Sequence, residues 1–419
     1  MRIRQIDALR AVAVLLVLGC HMTWSPFLAW FGWTGVDLFF VLSGFLISGL
    51  LFQEYKHTGA IQVKRFMMRR ALKIYPAYYV LLALTIGWYA SAGTPIPWSR
   101  TWPDLIFVQN YTQGTWAHLW SLGVEEHFYI LLPVCLYMLM SWKAIHKLPW
   151  IAGAVLIGCL VLRAAAWSSR LELVSLRFPM MPSQFRFDGL FFGVLLSYFR
   201  EFHAETLERF VTGNRHILLA AGFVGLLPAA IFPQISAVVC VPGLSMLYLG
   251  YGSILLLCLY SKGEGRITRG LSRIGTYSYS IYLFHFPLMF ICAGLLYEKW
   301  HWSKTAAFIT YMVTSIIVGS VLSRAVELPI LRLRERLFPG AVHNPALTKI
   351  DVRLGTARTL TALYPTVPAD APPPRPTSGT CEPVLTPILV IPPCPDGTSL
   401  SSFSHRDEEK PEHRAGLPM

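Results

Sequence analysis

Charge is scarce in this chain: Asp, Glu, Lys and Arg together make up 14% of its 419 residues, against about 25% in soluble globular proteins. So little charge cannot cover a water-facing surface, which excludes an ordinary soluble enzyme. Hydrophobic residues at 54% and aromatic residues at 13% exclude a disordered chain and a coiled coil. Cysteine is sparse as well. The eight present show no CxxC spacing, which excludes a disulfide scaffold and a cysteine-based metal site. Six of them (Cys20, Cys135, Cys159, Cys240, Cys258, Cys292) sit in apolar runs and read as small interior residues. No recurrence with a period of roughly 20 to 50 residues is present, so a repeat architecture is not expected.

What the sequence does contain is a series of long apolar runs. A helix needs roughly 17 to 25 apolar residues to cross about 30 Å of hydrocarbon. Ten runs serve: 8–24, 35–54, 74–93, 125–142, 150–168, 187–200, 216–232, 237–260, 276–297 and 305–323. The predicted fold is all-α, a polytopic integral membrane protein with about ten transmembrane helices. The first run follows Arg2 and Arg4 but lacks a small-residue cleavage site and is broken by Asp7 and Arg10, so it reads as a retained span.

Lys and Arg number 36 against 23 Asp and Glu, a net charge of +13. Laid on ten spans, the segments on the side of the N-terminus hold 21 basic residues and those on the other side hold seven. That bias predicts both termini in the cytoplasm and the chain as a multi-pass protein of the inner (plasma) membrane. Positive charge explained by topology points to membrane lipids and away from nucleic acid. Residues 1–338 read as the membrane domain. The stretch 339–419 reads as a disordered cytoplasmic tail, because 14 of the 29 prolines fall between 341 and 419.

Ionisable side chains within a span are costly and mark function by default. Arg10 and His21 are 11 positions apart, which returns them to one face of a helix, about 16.5 Å apart along its axis. Asp7 can pair with Arg10 one turn away. Asp37 opens the second span at a depth similar to that of His21, where a carboxylate can fix an imidazole's tautomer or simply cap the helix. Glu125 opens the fourth span at the same level, and the same two readings hold for it.

At the opposite level, Lys64 to Lys73 form a basic run with Arg69, Arg70 and Lys73 at the start of the third span. Such a run suits phosphate groups, and equally suits topogenic retention. Arg177 and Arg186 lie on the non-cytoplasmic side against the charge bias and are candidates to contact an anionic part of an acceptor. His285 at mid-depth in the ninth span and Glu327 at the inner end of the tenth are candidate binding residues. No metal-ligand set is expected.

Six segments carry a family resemblance: Asp7-Ala8-Leu9-Arg10 with ten residues before His21; Gly35 to Ile47; Arg69 to Pro76; Ser121 to Tyr129; Tyr277 to His285; and Glu327-Leu328-Pro329. On these the chain resembles the membrane-bound acyltransferase family 3 over roughly residues 4 to 338. The resemblance implies transfer of an acyl group, usually acetyl from acetyl-CoA, to a hydroxyl of a sugar or glycan acceptor, and implies that Arg10 and His21 are essential. His21 is then the base or acyl relay, oriented by Asp37 or Glu125. Arg10, Arg69, Arg70 and Lys73 would hold the phosphates of the acyl-CoA donor. Lys73 stands where Arg is more usual in the family, and His127 where Gln is. A macrolide-type glycoside as acceptor, or a transporter of lipid-linked sugar without chemistry, fits the same intramembrane charges. Nothing in the sequence bears on the oligomeric state.

Overall fold

A computed structural model describes residues 3–22, 24–169, 180–261 and 265–339. They belong to one compact unit, Met1–Leu354; the second unit, Gly355–Met419, lies outside the described residues, as does the proline-rich stretch beyond residue 339. Among the described residues the chain is helical and forms no strand. The helices are α1 (Arg4–His21), α2 (Pro26–Phe31), α3 (Gly35–Thr58), α4 (Val63–Ser91), α5 (Trp98–Leu105), α6 (Trp120–Ser141) and α7 (Leu148–Ser168). They continue as α8 (Phe187–Phe202), α9 (Ala204–Gly213), α10 (Arg215–Ile231), α11 (Leu244–Leu259), α12 (Arg266–Gly275), α13 (Ser278–Cys292), α14 (Lys304–Leu322) and α15 (Leu328–Leu337).

Each of the ten apolar runs falls on a helix, yet the count of ten crossings is not reached. Seven helices have the length and hydropathy to cross a bilayer, and eight do if α9 and α10, bent by 81°, form one broken span. The two that fall short do so for physical reasons. α1 carries Arg4, Asp7 and Arg10 within its 18 residues, and α8 has only 16. Both are interior helices walled by protein, where charge and short length are tolerated.

Burial orders the bundle. The apolar window of the α2–α3 segment is 72% buried, whereas those of α7 and of Lys304–Leu337 are 22% buried. α14 shows why: Ile309, Val313, Ile317 and Val321, spaced one turn apart, are all exposed. An apolar stripe of that length is a liability in water and is satisfied by lipid. This is a helical polytopic membrane protein.

α3 and α8 form the tightest central pair. A Cβ at Gly44 would fall on the Leu190 carbonyl, and one at Gly193 on the Val41 carbonyl, so only glycine permits the backbones to approach this closely. Arg163, one of the seven basic residues counted on the far side and within the run 150–168, lies inside α7 and is fully buried. It donates to Asp188 at 2.6 Å, to the Phe185 carbonyl at 2.7 Å and to Ser245 at 2.6 Å, tying α7 to α8 and α11.

Candidate functional site

Two cavities lie along α1, one toward each end. The first, about 350 Å³, is lined by Arg10, Ser43, Arg70, Lys73, Glu125 and Tyr129 among others. Glu125 is held by hydroxyls: Ser43 donates at 2.7 Å and Tyr129 at 2.9 Å, one to each carboxylate oxygen. Its neighbour Glu126, about 100° round the helix, turns away from this cavity and accepts from Tyr75 at 3.3 Å. The Arg70 guanidinium lies 5.6 Å from the Phe66 ring and 5.8 Å from that of Tyr129. Aromatic faces hold such a cation without neutralising it.

Lys73 is differently placed. It forms an ion pair with Glu327, whose second oxygen accepts from Ser280 and Ser323, each at 2.9 Å. Arg69 does not line the cavity: its guanidinium is engaged bidentately by Glu335 at 2.9 and 3.2 Å and also donates to the Phe338 carbonyl. Of the four cations assigned to a phosphate, Arg10 and Arg70 thus face the cavity without a carboxylate ion pair among the described residues, Lys73 faces it paired, and Arg69 anchors α15.

The second cavity, about 270 Å³, is lined by Cys20, His21, His118, Trp120, Arg186 and Tyr282 among others. Around it three imidazoles cluster, with ring centroids 5.1 Å apart for His21–His285 and 5.0 Å for His118–His285. His118 Nε2 lies 3.1 Å from the Leu283 carbonyl and His285 Nδ1 contacts the Tyr282 carbonyl. A carbonyl can only accept, so both nitrogens donate. The remaining nitrogens, His118 Nδ1 and His285 Nε2, are buried with no hydrogen-bond partner among the described residues. In the neutral rings these atoms are bare acceptors. The three rings do not converge as metal ligands, and among the described residues no group of three or more His, Cys, Asp or Glu does.

Neither carboxylate expected to orient His21 is hydrogen-bonded to it among the described residues. Glu125 faces the first cavity with Arg10, because it lies more than a turn inside α6 rather than at its start. Asp37 Oδ1 accepts from Arg186 at 2.6 Å, and Arg186 also lies 5.4 Å from the Phe40 ring and 5.3 Å from that of Trp120. Buried cations take the nearest buried anion, so Asp37 neutralises Arg186. Arg186 lines the second cavity with His21. His285 packs against His21 without lining the cavity itself, and Glu327 sits with Lys73. Arg177 lies outside the described residues.

His118 was not singled out by sequence reasoning. Its signal was available, since a histidine two residues before Trp120 and three before the Ser121 to Tyr129 run is an ionisable group at a span end. The two cavities share Val36 and Tyr282 as lining residues. The Tyr282 hydroxyl donates to the His118 carbonyl at 2.7 Å and lies 2.7 Å from Ser121 Oγ.

Comparison with known proteins matches residues 3–324 to a family described as an acyltransferase domain. The peptidoglycan O-acetyltransferase OatA of Listeria monocytogenes is 27% identical over 325 residues, covering 70% of this chain and 50% of OatA. YrhL of Bacillus subtilis, named as a candidate peptidoglycan O-acetyltransferase, is 25% identical over 312 residues, covering 68% of this chain and 48% of YrhL. The chain thus spans about half the length of these relatives. No solved structure matches.

Proposed function

The chain belongs to the acyltransferase-domain family, and on that premise we propose that it is a membrane O-acetyltransferase that moves an acetyl group from acyl-CoA to a glycan hydroxyl. The names of OatA and YrhL make peptidoglycan the preferred acceptor class. On the positive-inside bias, the Arg10 end of the bundle faces the cytoplasm, the His21 end faces away from it, and both termini are cytoplasmic in the plasma membrane.

The observation that carries this reading is the pair of cavities at the two ends of α1, one lined by Arg10 and Arg70, the other by His21, sharing Val36 and Tyr282. Arg10 and Arg70 fit the phosphates of the donor, because a guanidinium offers a planar fork of donors. Glu125, fixed by Ser43 and Tyr129, keeps the floor of that cavity polar. The donor supplies an activated thioester carbonyl: the hydroxyl oxygen forms the new ester bond as the C–S bond breaks, and the coenzyme leaves as a thiolate that takes up a proton. His21 takes the proton from the acceptor hydroxyl, and the buried His285, packed against its ring at 5.1 Å and against His118 at 5.0 Å, holds it in place. Arg186, neutralised by Asp37, supports the acceptor side through its remaining donors.

The test is transfer itself. Proteoliposomes holding the full chain receive acetyl-labelled acetyl-CoA and a peptidoglycan fragment. Label on the fragment supports the assignment. A fragment that crosses the bilayer unlabelled indicates a transporter, and label appearing only on a macrolide glycoside replaces the acceptor class.

A further inference from the structure

We propose that the chain carries a second phosphate-binding pocket, separate from the Arg10 cavity and built on the arginines of α12. A cavity of about 780 Å³ at the Arg4 end of the bundle is lined by Arg4, Arg269, Arg273, Tyr277 and Arg324, with Ser272 and Thr276 and no carboxylate. These residues come from α1, from α12, from the start of α13 and from the π-helical turn Ser323–Glu327 that follows α14. A topogenic charge needs only to lie on the correct side of the bilayer. Convergence of several segments on one concavity asks for more.

The four arginines are exposed, and three features shape the pocket they line. Arg269 and Arg273 are four residues apart on α12, so their like charges lie on one face and repel each other. Among the described residues neither forms an ion pair. Arg324 is held in place by Tyr277: its Nε donates to the phenol oxygen at 3.2 Å and its guanidinium lies 5.3 Å from the ring centroid. Finally, α12 is pinned against α1, since a Cβ at Gly275 would fall on the Asp7 carbonyl. Arg269 and Arg273, close together and without an ion pair among the described residues, are stabilised by an anion, and planar guanidinium forks suit phosphate oxygens.

The pocket shares no lining residue with the Arg10 cavity but adjoins it, since Ile3 and Ser278, next to Arg4 and Tyr277, line that cavity. The phosphate has two available sources, the nucleotide end of a coenzyme thioester and the headgroup of an anionic lipid. The chemistry recognised is the same.

The full chain in phosphatidylcholine nanodiscs is titrated with adenosine 3′,5′-bisphosphate by calorimetry. In a second arm, native mass spectrometry reads retention of phosphatidylglycerol over phosphatidylcholine. The double variant R269Q/R273Q, and separately R324Q, should weaken at least one of the two probes by about tenfold. Arg209→Gln, an exposed arginine on α9 outside the pocket, should weaken neither. Loss in the nucleotide arm identifies a soluble phosphate, and loss in the lipid arm a headgroup. Binding of both probes unchanged in the pocket variants, no binding of either probe to the unaltered chain, or equal weakening by Arg209→Gln overturns the proposal. Because the readout is binding, an inactive chain that still binds phosphate would sink the transferase assignment and leave this pocket standing.

Discussion

Arg10 and His21 stand on one helix and line two different cavities, which share the side chains of Val36 and Tyr282 as walls. On the proposed reading, a donor anchored by guanidinium groups at one end and an acceptor activated at the other would meet at that partition.

Val36→Trp enlarges the wall where the cavities meet. Transfer should fall by at least about tenfold, and overpacking should lower stability by about 1 to 3 kcal/mol. Donor binding should persist. Transfer kinetics and calorimetric donor titration on one preparation check this, and undiminished transfer would place the reaction elsewhere.

Asp37 and Arg186 are both buried and bonded at 2.6 Å. Asp37→Ala leaves a buried cation alone and should lower unfolding stability by about 3 to 5 kcal/mol. Asp37→Asn, which keeps an acceptor, should cost less. Thermal unfolding in detergent measures both. A melting temperature unchanged by the alanine would return Asp37 to the role of orienting His21.

The Lys73–Glu327 ion pair separates the two kinds of cation at the first cavity. Replacing both members together, Lys73→Met with Glu327→Gln, should leave donor affinity within about twofold, whereas Arg10→Lys should raise the donor KM about tenfold, the size of a lost bidentate contact. Equal effects would mean that Lys73 also holds the donor.

Asp104 on α5, outside the spans, is fully buried, and burial pushes its carboxyl up to about 6 from its usual 3.8, partly opposed by a 2.7 Å bond from the Thr115 amide. A carboxyl raised in the folded state is protonated there first. Its stabilising contribution is complete below about pH 4 and is lost as pH rises through about 6. Asp104→Asn should flatten that part of the stability profile, checked by melting curves across the window. An unaltered profile would assign it to other groups.

The apolar runs were legible because a bilayer demands length and hydropathy of any helix that touches lipid, and α7 and α14 obey that rule. α1 and α8 escape it, being walled by protein, so they were visible as runs without meeting the length and hydropathy of a crossing. His21, Arg10, Arg70, Arg186 and His285 were visible as charges or imidazoles in apolar surroundings. Their pairing was not. Asp37 and Arg186 are 149 residues apart, and Arg69 meets Glu335 across 266, so helix periodicity carries no information about either. Glu125 was misplaced because depth was measured from where the apolar run begins, whereas α6 starts at Trp120. Arg163 was counted as a far-side cation although it falls within the run 150–168; its partner Asp188, on another helix, carries no mark in the sequence of that pairing.

The most direct test is His21→Ala in the full chain, with acetyl transfer to a peptidoglycan fragment and acetyl-CoA binding measured on the same sample. The account predicts transfer reduced by about 100-fold or more, with donor affinity within about twofold of the unaltered chain. Transfer retained at the original rate, or donor binding lost together with it, would contradict a proton-accepting end and a donor-holding end on opposite sides of Val36 and Tyr282.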